Sequence, residues 1–138
     1  MRLYLILFFI GLFISTSAQT ITNTKHATVY SIKQETSTIV VKDNSGQTVA
    51  YFFKNSLLDK DKNAIAFIKE NGDVYKGALF VGVIKKDKIM DSHGQLLGHV
   101  YPDFGHATND HGQVIMYIDS EISSNLAALL IFFIKDLK

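Results

Sequence analysis

Apolar residues recur along this chain at a fixed interval. The stretch Asp43-Asn44-Ser45-Gly46-Gln47-Thr48-Val49-Ala50-Tyr51-Phe52 aligns with residues 59–68, 75–84, 91–100 and 109–118, and the leading aliphatic positions Val49, Ile65, Val81, Leu97 and Ile115 are spaced 16, 16, 16 and 18 apart. A propeller blade needs about 40 residues and a helical-pair repeat more than about 30. A unit of 16 has room for two short strands and two turns. Asp or Asn opens the first turn and Gly stands fourth, as in Asp43 to Gly46, Asp91 to Gly94 and Asn109 to Gly112, which is the chemistry of a type I turn. Lys62 and Ala78 replace the glycine in the other two copies. The opposite turn includes Asn71-Gly72, a strong hairpin signal.

The strand columns mark the core. Column one is Val49, Ile65, Val81, Leu97 and Ile115; column two is Ala50, Ala66, Gly82, Gly98 and Met116; column four is Phe52, Ile68, Ile84, Val100 and Ile118. Successive strand residues point to opposite faces, so adjacent apolar columns predict strands covered on both sides. The small residues of column two predict crowding near a common axis. The expected fold is all-β: five short hairpins of 16 residues arranged about a pseudo-fivefold axis, with closure free of exposed edges. Residues 27–30 and 38–41 would close the array at one end. The run Ala-Ala-Leu-Leu-Ile-Phe-Phe-Ile at 127–134 would close it at the other. Its eight apolar residues are too few for a membrane helix, and its β-branched and aromatic content predicts a buried strand, with a helix over 124–134 as the other reading.

The repeated Asp-x-x-Gly-x-x-aliphatic-[Ala/Gly]-x-[Ile/Val/Phe] unit, a leader ending Ser-Ala-Gln, and the terminal Ala-Ala followed by aliphatic and Phe residues resemble the five-fold β-flower family. The resemblance spans residues 27–134. It implies petal-like hairpins about an axis and a small exported bacterial protein, and it brings no catalytic residue to carry over. The third copy departs from the motif, with Tyr75-Lys76-Gly77-Ala78 in place of the Asp-to-Gly turn.

Composition adds an address. Arg2 precedes an apolar run over residues 3–14, and Thr16-Ser17-Ala18 supplies the small side chains a signal peptidase requires. Residues 1–18 are therefore expected to be a signal peptide and 19–138 a single domain, with no transmembrane segment once the leader is gone. Beyond the leader the chain has 13 lysines against 13 Asp and Glu and no arginine. That balance excludes a nucleic-acid binder, which needs clustered cations and bidentate guanidinium contacts. No cysteine is present, so disulfides and a lipidated cysteine are excluded, and stability must come from a buried core.

Candidate chemistry is sparse. The fourth copy carries a two-residue insertion around Tyr101-Pro102-Asp103-Phe104-Gly105-His106, and loops on rigid scaffolds often carry function. The ligand-binding candidates are Tyr101, Asp103, His106 and His111. His93, His99, His106 and His111 with Asp103 and Asp110 include zinc-ligand types, but their spacing matches no metal motif, and His93 and His111 occupy equivalent turns on separate hairpins. Asp91-Ser92-His93 contains triad residue types side by side, an arrangement that cannot form a relay. Glu35, Glu70 and Glu121 do not pair as an acid and base. No catalytic residue, metal site or cofactor is expected. The amide column Gln47, Asn63, Gln95, Gln113 and the aromatic column Tyr51, Phe67, Tyr117 suit a glycan. The expected role is an exported, non-enzymatic binding or structural module of the bacterial cell envelope, periplasmic or extracellular, with a glycan or envelope protein as partner. The alternative is a small envelope enzyme or metal binder centred on residues 101–111.

Overall fold

The computed structural model describes residues 18–137; the expected leader's Arg2 and apolar run lie outside the described residues. Twelve strands follow one another: β1 (Gln19–Asn23), β2 (Thr28–Glu35), β3 (Thr38–Lys42), β4 (Thr48–Phe53), β5 (Ser56–Leu58), β6 (Ala64–Ile68), β7 (Asp73–Lys76), β8 (Leu79–Lys85), β9 (Lys88–Asp91), β10 (Leu96–Tyr101), β11 (His106–Asn109) and β12 (Val114–Ile118). Each pairs antiparallel with its chain neighbours, and β1 pairs with β12 to close a barrel. The all-β wall is as the repeats predict.

The pairing explains the apolar columns. In β1–β2, β3–β4, β5–β6, β7–β8, β9–β10 and β11–β12 the register skips one residue: Val29, Val49, Ile65, Val81, Leu97 and Ile115. These are β-bulges, which leave one residue unpaired and bend the strand. Columns one and two are both apolar because of that bend, and a covered outer face is not the cause. Ile65, Val81, Leu97 and Ile115 pack against the same core as Ala50 and Ala66.

Val29 belongs to a further copy, Asn23-Thr24-Lys25-His26-Ala27-Thr28-Val29-Tyr30-Ser31-Ile32, within the stretch the sequence pattern assigns to closure. Six bulged hairpins therefore run round the ring, five of them the units counted from sequence. At the opposite end, five connections join β2–β3, β4–β5, β6–β7, β8–β9 and β10–β11. The sixth place there is taken by the pairing of β1 with β12.

The C-terminal closure is a helix, which corrects the expected strand. It runs as α-helix over Ser124–Ala128, widens into a π-helical turn over Leu129–Phe133, and returns to α-helix over Ile134–Leu137. The Ser123 hydroxyl caps it by accepting from the Leu126 N–H at 3.2 Å. Leu126, Ala127, Ala128, Leu129, Leu130 and Phe133 are each at most 2% exposed and share one core with the inward residues of the wall. A closed ring has no free edge for another strand, whereas a helix satisfies its own backbone groups. A helix apolar on all sides belongs in an interior, and this one fills the barrel as a plug.

The small residues of column two sit where wall and plug are both close. A Cβ on Gly82 would run into the Met90 carbonyl oxygen of the adjacent strand and lie 2.7 Å from the Phe133 ring. One on Gly98 would run into the Thr108 carbonyl oxygen of the adjacent strand and lie 2.8 Å from the Phe132 ring. The crowding comes from neighbouring strands, as the columns predict, and from the helix packed against them.

Candidate binding site

The turn chemistry gathers at one end of the barrel. Asp43 Oδ1 accepts from the N–H groups of Ser45 at 2.9 Å and Gln47 at 3.0 Å, and from the Ser45 hydroxyl at 2.6 Å. Asp59 Oδ1 accepts from the N–H groups of Asp61 and Asn63, both at 2.9 Å. Asp91 and Asn109 repeat the pattern, and so does Asn23, which takes the N–H groups of Lys25 and Ala27. Such side chains mimic a backbone turn. The fourth residue has positive φ in each case, including the non-glycines Lys62 at 65° and His26 at 60°. The third copy makes a tight connection through Gly77 and Ala78 instead.

Three of these turns, β1–β2, β3–β4 and β5–β6, meet the end of the helix around a cavity of about 640 Å³. Its apolar lining is Ala27, the bulge residues Val29, Val49 and Ile65, and Ile134, and its polar lining is Asn23, Thr28, Tyr30, Asp43, Asn44 and Asp59. Concave sites with an apolar lining and a few convergent polar groups are the usual form of a small-ligand site.

The electrostatics of the mouth follow from its turns. The Ser45 hydroxyl, with the N–H groups of Gln47, Ser45 and Gly46, holds the Asp43 carboxyl below its ordinary range. The Asn63 N–H leads the same effect on Asp59, with help from nearby Lys60. Burial, and then the Asp43 charge, push the Tyr30 phenol up. The mouth therefore presents ionised carboxylates beside a protonated hydroxyl. The Ser45 and Gln47 bonds to Asp43 fall on Oδ1.

The four candidates from sequence divide between the two ends. Tyr101 and His106 are cross-strand partners on β10 and β11, with ring centroids 5.6 Å apart. His99 stacks on Tyr101 at 5.5 Å and Phe104 meets it edge-on at 6.2 Å. Pro102–Phe104 form a single 3₁₀ turn ended by left-handed Gly105, with Asp103 exposed. His111 lies in the β11–β12 turn, bonded to Asp110 at 2.8 Å. Tyr101 and His106 thus join an aromatic cluster on the wall, and His111 is separate from it. Among the described residues no three His, Asp or Glu could hold a metal ion.

In the Asp91-Ser92-His93 turn the Asp91 carboxylate bonds the backbone N–H of His93 rather than its ring, so no relay forms. The amide column closes the turns, as when the Asn109 amide donates to Gln113 Oε1 at 2.9 Å. The aromatic column lines the outside, with Phe67 stacked on Tyr75 at 5.4 Å and Tyr117 on His26 at 4.9 Å. The mouth was hidden in the sequence because five of its lining residues, Asn23, Ala27, Thr28, Val29 and Tyr30, belong to the first copy. The signal was Asn23, six residues before Val29 as Asp43 is before Val49.

A ring of bulged hairpins around a buried helix defines a plugged β-repeat barrel. The chain belongs to the 5-fold beta-flower protein family, whose model matches residues 18–135. No curated protein and no solved structure matches it.

Proposed function

We propose that this chain is an exported, non-enzymatic binding module of the bacterial cell envelope, periplasmic or extracellular, and that it takes a saccharide in the mouth of its barrel. The carrying observation is the cavity of about 640 Å³, lined by aliphatic residues, the Tyr30 ring and planar carboxylates and amides. A sugar ring offers an apolar face to the aliphatic residues and vicinal hydroxyls to the polar ones. An envelope protein would need a broader surface than this concave end provides. Export is supported by the leader pattern and by β1 beginning at Gln19, the first residue after the expected cleavage point. The five repeat units from β3–β4 to β11–β12 are, on the same proposal, the petals about a pseudo-fivefold axis, with β1 and β2 closing the ring.

The test is an NMR titration of residues 19–138 with short envelope saccharides. Amide shifts centred on Tyr30, Asn44, Val49 and Ile65 are expected. Shifts confined to the Tyr101 and His106 wall, or none with any saccharide, would overturn the assignment.

A further inference from the structure

We propose that the mouth selects saccharides carrying a free ammonium group, with the Asp43 carboxylate as the ion-pairing group, Asp59 reinforcing it and the Tyr30 hydroxyl donating to a neighbouring oxygen. This rests on the saccharide-binding role above and deepens it. The cavity has two carboxylates and no lysine, arginine or histidine among its described lining residues. Nearby cations stand outside the lining: Lys62 Nζ lies 5.3 Å from the Tyr51 ring centroid and Lys135 is exposed beyond Ile134; Lys60 acts on Asp59, which makes Asp43 the principal carboxylate.

The turns themselves do not require this charge. Asn23 and Asn109 make the same pair of N–H bonds with a neutral amide. At Asp43 the Ser45 and Gln47 bonds use Oδ1, and the residue lines the cavity. A low-dielectric lining beside a carboxylate strengthens its field toward a cation, and a charge-assisted bond from ammonium to carboxylate is about twice as strong as a neutral one.

The experiment is calorimetric titration of residues 19–138 with a short glucosamine oligosaccharide, its fully N-acetylated form and a neutral glucose oligosaccharide of equal length. The free-amine form is expected to bind about tenfold more tightly, with the margin shrinking as salt screens the pair. An Asp43→Asn, Asp59→Asn double variant keeps both turns, as judged by its amide NMR spectrum, and loses the preference. Asp91→Asn, in an equivalent turn that does not line the cavity, keeps it. Equal binding of amine and acetylated forms, or a preference that survives the double variant, overturns amine selection while leaving saccharide binding intact. Failure of all three sugars to bind overturns both.

Discussion

Individual side chains show where this fold tolerates no change. Gly82 is wedged between the Met90 carbonyl and the Phe133 ring, with a Cβ position 2.4 Å from the former. Gly82→Ala must displace backbone, and a loss of about 3 kcal/mol is expected from chemical denaturation. Phe133→Ala empties the opposite side of the same contact. Phe133 is 1% exposed, so a cost of about 3–5 kcal/mol is expected. The turn carboxylates act through pH. Asp43 and Asp59 are held below the ordinary value of 3.8 in the folded chain, so the unfolded chain binds more protons in that range. Their contribution is complete above 3.8 and is lost as pH falls through the lowered folded values. Thermal midpoints recorded from neutral pH down through that window should therefore fall more steeply for the native chain than for the Asp43→Asn, Asp59→Asn variant.

Among the elements, the C-terminal helix depends most on context. Its first turn is held by the Ser123 cap at 3.2 Å, and Ser123→Ala should cost about 1 kcal/mol in a denaturant series. This segment also marks how far the sequence could be read. Leu129, Leu130, Ile131, Phe132, Phe133 and Ile134 have no polar face to reveal a helical period, and their side chains favour a strand by propensity. Only the closure of the ring, a contact between residues about as far apart in sequence as Ile21 and Ile118, removes the edge a strand would need. The repeated hairpins were legible because Asp or Asn, Gly and the aliphatic columns encode local turns and strands. The bulges were not, since a bulge is a relation between two strands and Val49 looks like any strand residue when read alone. The first copy escaped because the interval to the next copy is 20 and not 16. With it went half of the mouth. Tyr101 and His106, read from the sequence as ligand-binding candidates, meet across β10 and β11, where the Tyr101 ring packs on His99, Phe104 and His106.

At the scale of the whole molecule, a closed ring and its plug constrain each other in a way that open repeat arrays do not. In a solenoid, stability adds unit by unit and the loss of one is tolerated. Here the diameter of the wall grows roughly in proportion to strand number, and the occupant is a helix of about 10–12 Å with its side chains. Ala50, Ala66 and Ala107, like the glycines opposite Phe132 and Phe133, already lie against this core with essentially no exposure. Deleting residues 59–74 removes one unit of 16 in register, joins Leu58 to Tyr75, and leaves sequence for ten strands. The turn and strand signals of the remaining copies survive that deletion, yet the ring becomes too narrow for the helix. The expected product is a chain with β-rich circular dichroism, no cooperative thermal transition and strong binding of a hydrophobic dye, because the plug is left outside. A ten-stranded variant that unfolds cooperatively with its helix still buried would show that wall and plug adjust freely. The matched fit at Gly82 and Gly98 argues that they do not, and it makes the helix the gauge that sets how many hairpins this ring can hold.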